Sequence, residues 1–152
     1  MKKIILLIFT LCLINSSAKA EKNNSELFLA VAIDAPHSLG TSALFAQYTF
    51  PQKVGVYAGH WFSPDGDNSA LGTEYYVKYK RLRMGLGSAY LFKLGPINGT
   101  HLNFSITSTY DIDENWRLFY RHFSHGSYLG IEKNKENSGW NLIGVLYKFK
   151  AL

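Results

Sequence analysis

The sequence is poor in the residues that build disulfide-stapled, collagen-like or disordered chains. Its 152 residues include one cysteine and four prolines, and only 18% of them are charged. A single cysteine excludes an internal disulfide, and a chain that is 47% hydrophobic can bury a core. The length is that of one domain, enough for a closed β structure or a small α/β core.

No apolar run is long enough for a transmembrane helix, which needs about 20 residues. The longest run, at residues 4–14, follows two lysines and precedes an Ala-Lys-Ala sequence at 18–20. A charged start, a short apolar stretch and a small-x-small cleavage site are the parts of a secretory signal peptide. We therefore expect residues 1–20 to be a signal peptide and residues 21–152 to be the exported domain.

Loss of the signal peptide lowers the net charge from +5 to +2, because three lysines leave with it. The exported domain then has 13 basic and 11 acidic residues, with no cluster of Lys or Arg. Such a chain gives no indication of nucleic-acid binding, and nucleic acid is not expected as a partner.

The exported domain alternates apolar and polar residues at the two-residue period of β-strands. Leu102, Phe104 and Ile106, for example, alternate with Asn103 and Ser105. Tyr and Phe, ten of each, also favour strands over helices. Eight segments show this pattern, at residues 26–33, 42–50, 54–62, 72–80, 82–92, 100–110, 115–124 and 139–150.

Short and long connections alternate between these segments. The short ones are at residues 51–53, 81 and 111–114, and the long ones are at 34–41, 63–71, 93–99 and 125–138. This alternation is typical of bacterial outer-membrane barrels, and a spanning chain without helices must close its sheet to pair every backbone polar group. We expect an all-β fold, an eight-stranded antiparallel up-and-down transmembrane β-barrel in the cell outer membrane, in contact with its lipid.

A soluble eight-stranded barrel, such as a periplasmic lipid binder, is the alternative fold and would turn its apolar faces inward. Two features favour the membrane form. The polar strand faces carry small residues, Ser, Thr and Asn that suit a lumen, and aromatic residues recur at strand ends like interfacial girdles. In this form we expect the lumen to hold a stabilising network of charged residues, namely Glu74, Lys78, Lys80, Arg117 and Arg121.

The seventh segment carries the candidate chemistry. Its C-terminal end is expected at the depth of the outer leaflet, where lipopolysaccharide lies. Residues of one parity share its predicted lipid-facing side, namely Trp116, Leu118, Tyr120, His122 and Ser124. A His and a Ser two residues apart on one face can hydrogen-bond, and the imidazole can then take the serine proton, as in a serine hydrolase. A pair directed into lipid suits a lipid substrate.

The run Arg121-His122-Phe123-Ser124, late in an exported eight-stranded barrel, resembles the corresponding region of the PagL family of lipid A 3-O-deacylases. Matching in sequence is confined to about residues 120–149. The resemblance implies an outer-membrane esterase that removes the 3-hydroxyacyl chain at position 3 of lipid A, in lipopolysaccharide. It also implies a Ser nucleophile, a His base and a Glu orienting acid, with no cofactor and no metal. On this basis Ser124 is the nucleophile and His122 the base.

The orienting acid has two candidates. The family's spacing places it at Glu136, but the family's proline-containing sequence before the last strand is absent here, and the acid's position can fall on Asn141. If the last two strands pair so that Ser124 is opposite Gly139, Asn141 is opposite His122. An Asn can orient an imidazole. Glu136 is placed first and Asn141 second.

Four further expectations concern the acid, the oxyanion donor, the oligomeric state and the function. Glu132 lies close to Glu136 and is a further candidate acid, and the family's Asn-Ala after the serine is replaced by His125-Gly126, which makes a backbone N–H near Gly126 the candidate oxyanion donor. A homodimer is compatible with the sequence. The alternative function is a non-enzymatic small outer-membrane barrel that serves structure, adhesion or surface defence.

Overall fold

The computed structural model describes residues 25–34, 41–64, 66–94, 100–125 and 139–149. The predicted signal peptide, the candidate acids Glu132 and Glu136 and the candidate oxyanion donor near Gly126 lie outside the described residues. Within those ranges no helix is long and apolar enough to cross a membrane.

Eight antiparallel strands close into a barrel, in which each strand pairs with its neighbours in sequence and β1 pairs with β8. The strands are β1 (Glu26–Asp34), β2 (Ser42–Thr49), β3 (Val54–Phe62), β4 (Asn68–Tyr79), β5 (Leu82–Leu91), β6 (Leu102–Asp111), β7 (Trp116–His125) and β8 (Trp140–Phe149). The predicted eight-stranded antiparallel up-and-down barrel is therefore confirmed, and seven strands lie within two residues of their predicted bounds.

β4 begins four residues earlier than predicted, at Asn68 rather than residue 72. Asn68 pairs with Trp61 of β3, and its buried side chain bonds twice to the backbone of Lys93. Nδ2 donates to the Lys93 carbonyl oxygen at 2.8 Å, and Oδ1 accepts from the Lys93 amide at 3.0 Å. Because these bonds satisfy the polar side chain, the strand extends into a stretch whose composition suggests a loop.

The connections define two ends of the barrel. The short-turn end carries the tight connections at residues 50–53, 80–81 and 112–115, and the long-loop end carries the others. Lys53 and Lys80 adopt positive φ angles of 64° and 54° in two of the tight turns. Positive φ in a short turn lets the chain reverse while the flanking strands keep their right-handed twist.

The outward face of the barrel wall is apolar on all eight strands. Its large apolar side chains are 36% to 71% exposed, among them Val31 on β1, Leu86 on β5 and Ile143 on β8. Along β1 and β2, outward-facing exposed residues alternate with buried residues that face the lumen. An apolar outer wall is what a lipid-facing barrel needs and what a soluble barrel avoids.

Aromatic rings fill the lumen toward the long-loop end. Their centroids lie 5.6 to 6.3 Å apart in a buried cluster of Phe45, Tyr57, Trp61, Phe123 and Trp140. Offset and edge-on ring contacts at this spacing are favourable. This end of the lumen is a packed core rather than a channel.

The rest of the lumen contains two groups of charged side chains. Near the middle, Arg121 and Glu74 form an ion pair at 2.9 Å, with side chains 2% and 0% exposed. At the short-turn end, Arg117 bridges Asp111 at 2.5 Å and Glu26 at 3.1 Å. The predicted lumenal charges of Glu74, Arg117 and Arg121 are thus confirmed.

The second group includes further cations from other strands. Arg83 and Lys148 lie 3.1 and 3.5 Å from Glu26, and Lys78 lies 3.4 Å from Asp111. Of these five residues, only Lys78 is predicted in the lumen from the sequence. The others were missed because the partners of each ion pair come from strands far apart in the chain.

Lys80 does not belong to this network, and the prediction that it faces the lumen is wrong. It is exposed in the turn between β4 and β5, with its ammonium 5.4 Å from the centroid of the Tyr79 ring. The two-residue period ends with the strand at Tyr79, so the parity that places Lys78 inside does not extend to Lys80.

Candidate active site

The outward face of β7 carries the predicted base and nucleophile. Residues of the other parity are buried in the lumen, namely Arg117, Phe119, Arg121 and Phe123. His122 and Ser124 are half-buried on the outer wall, close to the long-loop end. The predicted parity of β7 is confirmed.

His122 is hydrogen-bonded to Asn141 across the junction of β7 and β8. The two residues are direct register partners, as the pairing of Ser124 with Gly139 predicts. His122 Nδ1 lies 2.8 Å from Asn141 Oδ1. Because an amide oxygen can only accept, Nδ1 carries the proton and Nε2 is left as the acceptor nitrogen that a general base needs.

Tyr120 fixes the orientation of the Asn141 amide. It lies two residues before His122 on the same strand face, and its hydroxyl donates to the same Oδ1 at 2.7 Å. Two donors on one oxygen hold the carbonyl side of the amide toward the imidazole. The sequence predicts Tyr120 on this face but indicates no role for it, because two-residue spacing is the same for every neighbour on a strand face.

Two backbone features hold the start of β8 beside β7. The backbone N–H of Asn141 donates a hydrogen bond to Asp34 Oδ1 at the end of β1, at 3.3 Å. Gly139 has a φ of +59°, and a Cβ there would lie 2.3 Å from the Phe123 carbonyl oxygen and 3.0 Å from His122 Cε1. Only glycine gives the chain this close approach and leaves the imidazole its space.

Ser124 lies next along the same face and pairs with Phe104 of β6. Same-face neighbours on a strand are about 6.7 Å apart between Cα atoms, a span that a His and a Ser side chain can bridge. In the described part of the chain, no hydrogen bond joins Ser124 to His122. The imidazole of His122 and the amide of Asn141 are thus in contact, whereas the serine hydroxyl is not hydrogen-bonded to the imidazole.

The described residues offer no metal site, since no group of three or more His, Cys, Asp or Glu side chains there could hold an ion. The polar side-chain groups that the described residues bring to this face are a hydroxyl, an imidazole, an amide and a phenol. These groups can perform acyl transfer without a bound ion.

No protein-family model matches the sequence, and no curated protein matches it significantly.

Proposed function

We propose that the chain is an outer-membrane lipid A 3-O-deacylase, a serine esterase that hydrolyses the ester-linked 3-hydroxyacyl chain at position 3 of lipid A. The observation that carries the proposal is the 2.8 Å contact between His122 and Asn141 on the outer wall, with Ser124 on the same strand face. A base on the outer wall can reach only molecules that lie against the wall. A lipid in a membrane is such a molecule.

The outer-membrane location is part of the proposal. Two observations support it: the apolar outward wall and the signal-peptide pattern at residues 1–20. In that location the long-loop end of β7 faces the outer leaflet, where lipopolysaccharide lies. The ester at position 3 of lipid A joins a sugar to an acyl chain, so it lies at the boundary between head group and hydrocarbon.

The reaction requires two displacements at one carbonyl carbon. Nε2 of His122 takes the hydroxyl proton of Ser124 while Oγ attacks the ester carbonyl. The tetrahedral intermediate breaks its bond to the sugar oxygen, which receives that proton from His122 and leaves the acyl group on Ser124. Water, deprotonated by His122, then attacks the acyl-serine ester, releases the 3-hydroxy fatty acid and restores the serine.

The sequence places Glu136 first as the orienting group and Asn141 second, and Glu136 lies outside the described residues. The proposed mechanism takes Asn141 instead, because its amide oxygen lies 2.8 Å from His122 Nδ1, and keeps Glu136 as the second candidate. The amide holds the imidazole tautomer, but as a neutral group it adds no charge to stabilise the imidazolium. Catalysis then depends on the orientation of the imidazole more than on charge.

The test is mass spectrometry of lipid A from a Gram-negative host that expresses the full chain. The wild-type chain is expected to remove one 3-hydroxyacyl group from lipid A, and Ser124→Ala and His122→Ala are expected to remove none. The matched control is Ser42→Ala, which removes an exposed serine on the outward face of β2.

Each variant is first shown to be a folded barrel in the outer membrane by its heat-modifiable migration in gel electrophoresis. Folded wild-type protein beside unchanged lipid A would overturn the deacylase proposal and leave the non-enzymatic barrel as the function. Activity that survives Ser124→Ala would remove Ser124 as the nucleophile.

A further inference from the structure

A second outward-facing His–Ser pair lies on the other side of the barrel. His60 of β3 and Ser69 of β4 are direct register partners, and His60 Nδ1 lies 2.8 Å from Ser69 Oγ. Their neighbours Trp61 and Ala70 are buried in the lumen, so both side chains of the pair face outward. In a ring of eight strands, the β3–β4 junction is opposite the β7–β8 junction. The pair is therefore separate from the His122 site.

This pair keeps one hydrogen-bond donor for an outside partner in either tautomer. If Nδ1 accepts a hydrogen bond from the Ser69 hydroxyl, the ring proton is on Nε2, which can donate a hydrogen bond to a molecule outside the barrel. If Nδ1 donates to Ser69 Oγ, the serine hydroxyl proton is left for an outside acceptor. In the described part of the chain, Ser69 is the only hydrogen-bond partner of the His60 ring. Because none of the described residues hydrogen-bonds to the ring as a third group, the pair suits binding rather than hydrolysis.

The pair lies at one end of a groove of about 800 Å³ in the outer wall. Apart from His60 and Ser69, the lining is aliphatic and aromatic. Its floor is low where Ala46 faces Ala58 across β2 and β3, between larger neighbours such as Leu44. A concave, apolar surface of this size with polar groups at one end is typical of a small-molecule site.

The groove crosses the wall along the hydrogen-bonding direction of the sheet. From the pair it passes Leu44 on β2 and Val31 on β1 and ends at Trp116 and Tyr147, toward the short-turn end of β7 and β8. Four strand-to-strand steps of about 4.8 Å separate His60 on β3 from Trp116 on β7, a span of about 19 Å along the groove. Because the strands of such barrels tilt, this direction descends obliquely from the long-loop end.

We infer that this groove is a second lipid site, which holds one acyl chain of an ester-bearing membrane lipid and binds its ester carbonyl oxygen at His60 and Ser69. The complementarity is electrostatic: the pair presents a donor hydrogen, and the ester carbonyl presents an acceptor oxygen. The chain descends the groove with its methyl end toward Trp116. The inference rests on the proposed outer-membrane location and not on hydrolysis at Ser124.

The fluorescence of Trp116 can report directly whether a lipid occupies the groove. The chain has three tryptophans, of which Trp61 and Trp140 are 0% and 3% exposed in the lumen, whereas Trp116 is 43% exposed on the wall. Bromine atoms on an acyl chain quench indole fluorescence on contact. The refolded full chain in detergent micelles is titrated with a diacyl phosphatidylcholine brominated near the chain ends.

Saturable quenching at about one lipid per barrel is expected, with weaker quenching when the bromines are near the ester. Ala58→Phe, which fills the groove, and the double variant His60→Phe/Ser69→Ala, which removes the donors, are expected to weaken the apparent affinity at least tenfold. Leu86→Phe, on the outward face of β5 and outside the groove lining, is the matched control and is expected to bind like the wild type.

Quenching that rises in proportion to lipid mole fraction and is the same in all variants would overturn the inference, because it describes annular lipid only. Loss of affinity in Ala58→Phe but not in the double variant would overturn the role of the polar pair. If Ala58→Phe fails to fold, the double variant and the bromine-position comparison still decide. Ser124→Ala is expected to bind normally, so failure of the deacylase proposal is seen separately from failure of this one.

Discussion

At the scale of single residues, the choice between Asn141 and Glu136 as orienting group makes the sharpest prediction. If Asn141 orients His122, Asn141→Leu is expected to lower the deacylation rate about 100-fold, because the imidazole loses its tautomer and its position. Asn141→Asp is expected to keep or raise the rate, because a carboxylate accepts the same hydrogen bond and stabilises the imidazolium. Initial rates on purified lipid A in micelles measure both.

Glu136→Ala is the comparison for the same site. The orienting role would pass to Glu136 if Glu136→Ala lowered the deacylation rate about 100-fold and Asn141→Leu left that rate unchanged. Tyr120→Phe removes one of the two donors to Asn141 Oδ1 and is expected to lower kcat several-fold with little change in KM. A change confined to KM would place Tyr120 in substrate binding instead.

The buried pair Arg121–Glu74 makes a second residue-scale prediction. Glu74 also accepts a hydrogen bond from Thr107 Oγ1 at 2.6 Å and one from Tyr76, while the guanidinium of Arg121 lies 3.9 Å from the centroid of the Tyr57 ring. Arg121→Met leaves an unpaired carboxylate in the lumen and is expected to cost about 3–5 kcal/mol of unfolding free energy.

Urea titration of the barrel in micelles measures that free energy. The double variant Arg121→Met/Glu74→Gln is expected to recover a large part of the loss, because no buried charge is left unpaired. A single and a double variant of equal stability would show that the pair is not the source of the cost.

At the scale of elements, the turn between β6 and β7 carries a pH dependence. Asp113 Oδ1 accepts hydrogen bonds from the backbone amides of Asn115 and Trp116 at 2.7 and 2.8 Å. These bonds favour the charged carboxylate and lower the pKa of Asp113 below its ordinary value of 3.8. The stabilisation is therefore complete above the unfolded pKa and is lost as the pH falls through the folded pKa.

The variant Asp113→Asn keeps an acceptor oxygen in the turn, but its side-chain amide does not titrate in this pH range. Unfolding of the wild type and of Asp113→Asn is compared between pH 7 and pH 2, and the stability difference between them is expected to change only below about pH 4. A difference that changes between pH 5 and pH 7 instead would assign the effect to another group.

The elements of the fold could be predicted from the sequence, whereas contacts between distant parts of the chain could not. The strands followed from the two-residue period, which the wall imposes on each strand separately. The start of β4 did not, because it depends on hydrogen bonds between Asn68 and Lys93, 25 residues away. The partners of Glu26 lie 57 and 91 residues along the chain, at Arg83 and Arg117, and their meeting depends on the closure of the barrel. The pattern of residues within one strand does not indicate which residues of other strands it will contact across the lumen.

At the scale of the whole molecule, an apolar outer wall around a polar and aromatic lumen predicts that a charge on the wall is costly in lipid and nearly neutral in water. Leu86, 67% exposed on β5, is the test position. In a bilayer, Leu86→Arg is expected to cost about 2–4 kcal/mol if this position lies near the midplane, because the charge is placed in hydrocarbon. In water, the same exposed substitution is expected to change stability by no more than about 0.5 kcal/mol.

Ile112, 45% exposed at the short-turn end, supplies the control. Ile112→Arg places the same charge at the expected membrane interface, where the cost falls to about 0–1 kcal/mol. Folding free energies of both variants in phospholipid vesicles, relative to the wild type, measure the depth profile. Equal and small effects at both positions would indicate that the wall does not face hydrocarbon. The deacylase and the groove lipid would then fail together, because both depend on a lipid that lies against the wall.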